Sequence, residues 1–464
     1  MSARLISASW LLVLASLLNF ACCSASYDVP DYVAKHAPIV WLHSDDHYLP
    51  SDLLTHVQHT TPKIDGKLIK DKLPALNLDN LDLLNNYRDV ALASNDDPLS
   101  NPAWMRGTAP DKDGRIHDAT PCVVILVDNP FNDVDAFYFY FYSFDQGPNI
   151  TQVLHPLERI VKGGKVGQGM HFGNHIGDWE HNMIRFKDGK PVGIWYSQHR
   201  DGAAYQWGDP ELTVTDGRPT VYSARGSHAN YAKPGDNIHD VALIDWCDKG
   251  KKWDPVLSAY FFKYHKDNET VTTLNPPDKK NSGPPAHNFT SLFYYDGIWG
   301  DDQLSDSDPR QDHVPKFGFR RFLDGPQGPK YKQIVRKEIY PNRRPKKTWI
   351  EFSAGMFMTA YPWALEGWRG WVTFVFVVIL IFLLGVGVKV AITKGVRRYY
   401  SKGRYQKLQQ GEQILMEDFE TNEVLFRAAT GPWTGTGQTG RIGVMILCRL
   451  SCGLYLGPFS SYFP

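Results

Sequence analysis

The sequence predicts a mainly β protein: a β-sandwich-like domain with long loops, followed by one transmembrane helix. Three observations carry this. Residues 135–144 (DAFYFYFYSF) alternate Phe137, Phe139 and Phe141 with Tyr138, Tyr140 and Tyr142, the period of two expected when successive side chains point to opposite faces of a strand. Short apolar runs recur between connections rich in Gly, Pro and Asp, with no long amphipathic helix among them, which favours packed antiparallel sheets. Residues 371–388 (WVTFVFVVILIFLLGVGV) are uncharged and long enough to cross a bilayer. A buried core helix is the alternative for so apolar a run.

The 464 residues are 42% hydrophobic and 13% aromatic, and Lys+Arg and Asp+Glu are both 50. Ordinary globular composition at this length supports a sizeable core. Zero formal charge leaves no basic excess for a nucleic-acid partner.

Residues 1–26 read as a signal peptide, with Arg4 at the start, an apolar stretch over 5–20 and small residues near Cys22 and Ser26. An uncleaved anchor is the alternative, but the apolar run is short for one. Residues 27–365 then form a lumenal domain. Within it, residues 37–43 (APIVWLH) predict a strand, and Ser51 or Asp52 caps a short helix over 49–57. Residues 63–118 predict loops with short elements, and 121–127 (PCVVILV) a strand. The Phe face of 135–144 predicts core. Its Tyr face lines either a wetter cavity or, preferably, the second layer of a sandwich. The glycine-rich stretch 162–173 (KGGKVGQGMHFG) matches neither phosphate-binding glycine pattern and predicts a mobile loop. Residues 191–197, 220–224, 257–264 and 270–274 predict further strands, and 275–347 loops wrapping the domain.

The span is placed at 370–390 and a partly disordered cytosolic tail at 391–464. Lys389, Lys394, Arg397, Arg398, Lys402, Arg404 and Lys407 follow the apolar run, and basic flanks face the cytosol. Trp363, Trp368 and Trp371 suit the opposite interface. The N-glycosylation sequons at Asn149, Asn268 and Asn288 all lie on the lumenal side of that arrangement. Tyr405-Gln-Lys-Leu408 has the form of a tyrosine-based sorting signal, read in extended conformation through Tyr405 and Leu408. The apolar end, residues 442–464, is either a second span or an interfacial or disordered segment. Of six cysteines, Cys22 and Cys23 fall in the signal region and Cys448 and Cys452 in the tail. Cys122 and Cys247 remain in an oxidising lumen, where they either pair as a disulfide or stay as buried free thiols.

The densest chemistry lies in residues 171–181 (HFGNHIGDWEH). Asp178 and Glu180 share one strand face, roughly 7 Å apart. We expect His175, Asp178 and Glu180 to bind one divalent cation, with His199 or His228, each at the end of a candidate strand, as a fourth ligand or a support behind the ligands. Carboxylates with imidazole suit Ca²⁺, Mg²⁺, Mn²⁺ or Zn²⁺. The alternative is a metal-free buried network of Asp178 and Glu180 with Arg185 or Arg225. Trp179 and His181 fall on the opposite, structural face. A paired acid and base at Asp178 and Glu180 would give a glycosidase-like reading. Ser227 and His228 are adjacent and cannot be a triad pair, and neither GxSxG nor HExxH occurs.

Five motifs in order (APIVWLHSDDHYLPSD at 37–52, FYFYFYSFDQG at 137–147, NHIGDWEH at 174–181, WYSQHRDG at 195–202 and ARGSHANY at 224–231) resemble the fungal vacuolar protein sorting-associated protein 62 family over roughly residues 30–325. The resemblance implies a role in delivering proteins to the vacuole, with cargo or sorting proteins as partners and no established reaction. The order is also similar to that of the necrosis-inducing secreted proteins, whose GHRHDWE heptapeptide sits on a β-sandwich and binds a divalent cation. That similarity implies Asp178 and Glu180 as ligands. His175 stands one residue further from Asp178 than the heptapeptide histidine, because Gly177 intervenes. Toxicity is not implied for a membrane-anchored chain. Two readings follow: a lumenal sorting factor of the vacuolar route, or a metal-dependent lumenal hydrolase acting on glycan or lipid.

Overall fold

The computed structural model describes residues 27–149, 171–199, 201–239, 243–285, 287–314, 318–343, 349, 353 and 368–399. Residues 1–26, the glycine-rich segment up to 170 and everything beyond 399, with Tyr405, Leu408 and the four outlying cysteines, lie outside the described residues. The chain divides into two compact units, Met1–Trp363 and Ala364–Pro464.

The first unit is built from strands. In chain order they are β1 (Ile39–Leu42), β2 (Thr60–Ile64), β3 (Lys67–Leu68), β4 (Val90–Ser94), β5 (Cys122–Asn129), β6 (Asp133–Asp145), β7 (His175–Lys187), β8 (Lys190–Gln198) and β9 (Asp201–Gln206). There follow β10 (Val214–Thr215), β11 (Arg218–Ser223), β12 (Asn230–Tyr231), β13 (Gly235–His239), β14 (Leu243–Cys247), β15 (Lys251–Trp253), β16 (Ala259–His265), β17 (Thr270–Leu274), β18 (His313–Val314) and β19 (Phe319–Arg320). A seven-stranded sheet, ordered β17-β16-β5-β6-β7-β8-β9, carries the fold. A five-stranded sheet pairs β10, β11, β1 and β15 in a row, with β12 beside β11.

The Phe/Tyr alternation of β6 explains how these layers stack. Tyr138, Tyr140 and Tyr142 share a core with Val40, Leu42, Val221 and Trp253 from the second sheet. The Tyr face is therefore the inner layer of a sandwich. Its hydroxyls are satisfied locally: Tyr138 donates to the Val33 carbonyl at 2.7 Å and Tyr140 to Asn182 Oδ1 at 2.9 Å, as buried polar atoms require. Phe137, Phe139 and Phe141 pack on the other side with Leu53, Val57, Leu81, Leu292 and Trp299. The large sheet is thus covered on both faces, by a sheet and by short helices and loops. That is why β5 reads as an unbroken apolar run rather than an alternation.

The expected strands at 37–43, 121–127, 191–197, 220–224, 257–264 and 270–274 are present as β1, β5, β8, β11, β16 and β17. Asp52 caps the helix Leu53–Gln58, its Oδ2 accepting from the Thr55 N–H at 2.8 Å. The three-stranded sheet β3-β2-β4 lies where only loops with short elements were expected. Asn268 and Asn288 are exposed and Asn149 is half-buried.

The Cys122–Cys247 disulfide does not form: both are buried free thiols. Cys122 opens β5 inside the sandwich core. Cys247 closes β14 in a separate cluster with Tyr222, Ala224, Ala229 and Tyr231. Elimination by compartment left the two as a pair, but spacing along a chain sets no distance between them, and bridging demands Cα atoms within about 7 Å.

In the second unit a helix runs over Trp368–Tyr399. It is the one helix among the described residues long and apolar enough to cross a membrane. It continues past the expected end at 390 into the basic segment, because nothing there breaks a helix.

Candidate metal centre

The site grows from the end of β6 and the start of β7. These strands pair antiparallel, with Tyr140 opposite Glu180, Tyr142 opposite Asp178 and Asp145 opposite His175. A regular strand would turn His175 and Asp178 to opposite faces. Gly177 breaks that alternation with φ of +69°, and a Cβ there would stand 1.8 Å from the Trp299 carbonyl oxygen. Only glycine fits the bend. Downstream of it, Asp178 and Glu180 do share a face, while Trp179 is buried among Phe139, Phe141 and Trp299.

Two histidines reach the site from turns. His199 sits at the tip of the β8–β9 hairpin with φ of +53°, and His228 between β11 and β12 with φ of +54°. Both occupy left-handed backbone, which His tolerates better than most residues. His228 is 1% exposed and stacks flat on Tyr142, ring centroids 3.6 Å apart. Its Nδ1 lies 2.9 Å from Asp178 Oδ2 and its Nε2 3.1 Å from the Tyr48 carbonyl oxygen. A carbonyl oxygen only accepts, so Nε2 carries a proton. Asp46 stands behind, its Oδ2 3.9 Å from His228 Nε2 and accepting from the Gly226 N–H at 2.9 Å.

Asp145, Asp178 and His228, all buried, each offer a ligand atom within 4.8 Å of the others and could hold a metal ion. Asp145 was not among the expected ligands. The signal was present in FYFYFYSFDQG, whose aspartate ends the strand that pairs with the central motif. Of the expected residues, Asp178 and His228 belong to this cluster. His175 sits at its edge: Nε2 lies 3.5 Å from Asp145 Oδ2 and Nδ1 meets the Gly177 carbonyl at 2.6 Å. Glu180 accepts a short hydrogen bond from Ser197. His199 is held to Asp245 at 2.7 Å. A cavity of about 410 Å³ has Asp145, His175, Asp178, Glu180, His199 and Lys332 on its wall.

Electrostatics explain why such a cluster suits a cation. Burial pushes Asp145 well above the usual carboxylate range, with Asp178 and Glu180 adding to it. Burial beside Asp178 pushes Glu180 up to about 8. Burial also pushes Asp178 up, but the His228 hydrogen bond and charge outweigh it and hold Asp178 low. His228 is raised in turn: burial opposes its charge, but Asp178 and Asp46 more than offset that. His175 is held low by burial. Burial thus favours the neutral forms of Asp145 and Glu180, because uncompensated buried charge is costly, and a cation among them would reverse that. The donor set of carboxylates and imidazole fits a hard or borderline divalent ion.

The metal-free alternative with arginine does not form. Arg185 makes a bidentate pair with Asp135 at 2.7 Å, and Arg225 is exposed. His181 lies on the Trp179 side of β7, its Nε2 accepting from Arg336 Nη2 at 2.9 Å.

The sequence motifs around this centre are shared with known proteins. Residues 161–251 match the model of a family described as vacuolar protein sorting-associated protein 62. Two proteins of Saccharomyces cerevisiae are each 33% identical: the putative vacuolar protein sorting-associated protein TDA6 over 347 residues and vacuolar protein sorting-associated protein 62 over 342, each alignment covering 67% of this chain and 68% of the relative. The chain belongs to the vacuolar protein sorting-associated protein 62 family. The family match takes in Asp178, Glu180, His199, His228 and Asp245. Among solved structures, the non-toxic protein HaNLP3 superposes with a TM-score of 0.23 and 12% identity over 52% of this chain and 77% of that one.

Proposed function

We propose that this chain is a membrane-anchored lumenal factor of protein targeting to the vacuole, with a site for one divalent cation at Asp145, Asp178 and His228. His175 and Glu180 complete the donors at the edge, and His199 is held nearby by Asp245. The observation that carries the cation reading is the buried acidic cluster facing a single cavity. The vacuolar role rests on the family. The anchoring rests on the apolar helix, its basic flank and the sequons at Asn149, Asn268 and Asn288 on the other side. On this reading the signal peptide is 1–26, the lumenal domain 27–365 and the cytosolic tail 391–464, with Tyr405 and Leu408 as its sorting signal.

A bound divalent ion would supply positive charge among these carboxylates. The chain's own part is to hold and exchange protons there. His228 Nδ1 gives up its proton to offer a lone pair beside Asp178, and Glu180 gives up the proton that burial retains. Acid therefore opposes loading, and an acidic vacuole would favour release. The test is calorimetry with Mn²⁺, Ca²⁺, Mg²⁺ and Zn²⁺ on the purified chain at neutral and acidic pH. Absence of uptake at neutral pH would sink the cation reading. Protease treatment of sealed microsomes tests the topology: trimming of the tail with sparing of the glycosylated part is expected, and a protected tail would refute it.

The hydrolase reading has one observation in its favour, the open cavity of about 410 Å³ beside Asp178, a size that suits a small-molecule ligand. Release of sugar or lipid fragments by the metal-loaded chain, lost in Asp178→Asn, would select it.

A further inference from the structure

The two edges of the seven-stranded sheet differ. At one edge β17 is covered: its Val271 N–H donates to the Tyr294 hydroxyl at 2.7 Å, its Thr273 hydroxyl to the Asn288 carbonyl, and the Asn275 N–H just beyond it to the Tyr27 carbonyl at 2.6 Å. At the other edge β9 pairs with β8 and has no strand on its outer side. The pairing fixes which groups face out. The Trp207 N–H donates to the Val192 carbonyl at 2.9 Å, and along the same ladder Tyr205 stands opposite Ile194 and Ala203 opposite Tyr196. Hydrogen-bonded pairs alternate in an antiparallel ladder. Tyr205 and Ala203 therefore bond to β8, while Gly202, Ala204 and Gln206 turn their N–H and C=O groups outward. Among the described residues no group answers these three. The strand itself is held on both faces, Tyr205 by the core on the Tyr side of β6 and Ala204 by the core on the Phe side.

An open edge is a template for strand pairing, and proteins ordinarily blunt it with Lys, Pro, a bulge or a covering segment. β17 has the covering segment. β9 has none of these devices: Asp201–Gln206 (DGAAYQ) contains no Lys or Pro, its one charge stands at the first residue, and its register with β8 runs unbroken. Outward donors and acceptors then recur every second residue, about 7 Å apart. One partner chemistry matches that repeat, the backbone of another extended chain. Gly202, Ala203 and Ala204 add no bulk that would hold such a chain off. We propose that β9 is a strand-addition site, which takes an extended segment of a transported protein as an eighth strand of the sheet. Main-chain hydrogen bonds give affinity in this mode, with few demands on the partner's sequence. That the segment belongs to a protein bound for the vacuole rests on the targeting reading above. The strand addition rests on the edge alone.

The experiment is a fluorescence-anisotropy titration of the full-length chain in detergent with a labelled hexapeptide of alternating Thr and Val. The same peptide N-methylated at every residue keeps the side chains and loses the backbone donors. Saturable binding of the first peptide is expected, lost in the methylated one and weakened at least about tenfold by Ala204→Pro, which removes an outward donor. The Ala204 N–H takes no part in the ladder with β8, and an edge strand tolerates Pro where the N–H faces outward. Gln206→Pro, at the end of the strand, removes another outward donor and keeps the test valid if Ala204→Pro fails to fold. No saturable binding, equal binding of the methylated peptide, or binding unchanged in both variants overturns the proposal. Self-association of the chain in sedimentation, abolished by Ala204→Pro, would give the edge to a second copy and also overturn it. Delivery of vacuolar proteins in cells lacking the chain, measured separately, tests the targeting reading, and its failure leaves the strand addition standing.

Discussion

The carboxylate of Asp178 on β7 lies 2.9 Å from Nδ1 of His228, a residue fifty positions further along the chain. The contact ties the central motif to the turn after β11 and orients the imidazole against Tyr142. It also places a proton where a cation ligand would need a lone pair. A cation bound here would compete with that proton for the same nitrogen.

Replacing either carboxylate should therefore remove cation binding without unfolding the chain. Asp178→Asn and Asp145→Asn keep the side-chain shape and remove a charged donor. Each is expected to weaken divalent-ion affinity at least about tenfold, since ligand charge count tunes such sites. Calorimetry reads the affinity and circular dichroism the fold. Affinity unchanged in Asp145→Asn would mean that the cluster is not the ligand set.

His228→Asn tests the buried pair. Asn accepts left-handed backbone but loses the flat stack on Tyr142 and the charge facing Asp178 and Asp46. Unfolding free energy of the metal-free chain should fall by about 3–5 kcal/mol, the scale for stripping one partner from a buried ion pair. Denaturant titration measures it.

The metal-free protein should gain stability as pH falls from 8 to 7. A carboxyl raised to about 8 in the folded state, as Glu180 is, adds stability that is complete below its ordinary value near 4.5 and lost as pH rises through 8. His228, also raised, acts in the same direction. Asp178 is held low, so its contribution is fully present throughout this window. His56, lowered to about 3, and His171, His175 and His181, also lowered, oppose the trend increasingly below pH 7, where their unfolded imidazoles charge, so the gain is read between pH 8 and 7. One proton over this window contributes about 1–2 kcal/mol. Saturating divalent ion should flatten or reverse the slope, because loading releases the same protons. Urea denaturation at both pH values, with and without EDTA, distinguishes the cases.

Cys122 and Cys247 should both be alkylated in denaturant without reductant. Cys122 and Cys247 lie in separate cores, and burial raises both thiols, so native reactivity should be slow. Mass spectrometry showing a single unreactive pair would restore the disulfide.

Gly177→Ala should be among the more damaging small substitutions. The new Cβ would meet the Trp299 carbonyl at 1.8 Å, and a positive φ adds strain. A loss of about 2–4 kcal/mol is expected, together with weaker cation binding, since the bend sets His175 and Asp145 against Asp178. Thermal unfolding and calorimetry report the two effects.

Much of the fold was legible along the chain. Period two in residues 135–144 marked β6 and its two faces, because the strand repeat is a local property of backbone geometry. The apolar run ending at Val388 marked the long apolar helix by length and composition alone. The motif order marked the family, and within it Asp178 and Glu180, whose shared face needs only the pleat of one strand.

What remained was decided by contacts that no local rule encodes. Asp145 joins Asp178 because β6 pairs with β7 and Gly177 breaks the alternation that would otherwise part them. Of two candidate histidines, His228 meets Asp178 while His199 is drawn off to Asp245, a choice made by how two turns fold over one sheet. Cys122 and Cys247 share a unit but not a core. Arg336, remote from the central motif in sequence, is packed beside it through His181. Spacing fixes which side chains one strand can present together; only the packing of strands and turns decides which of them meet.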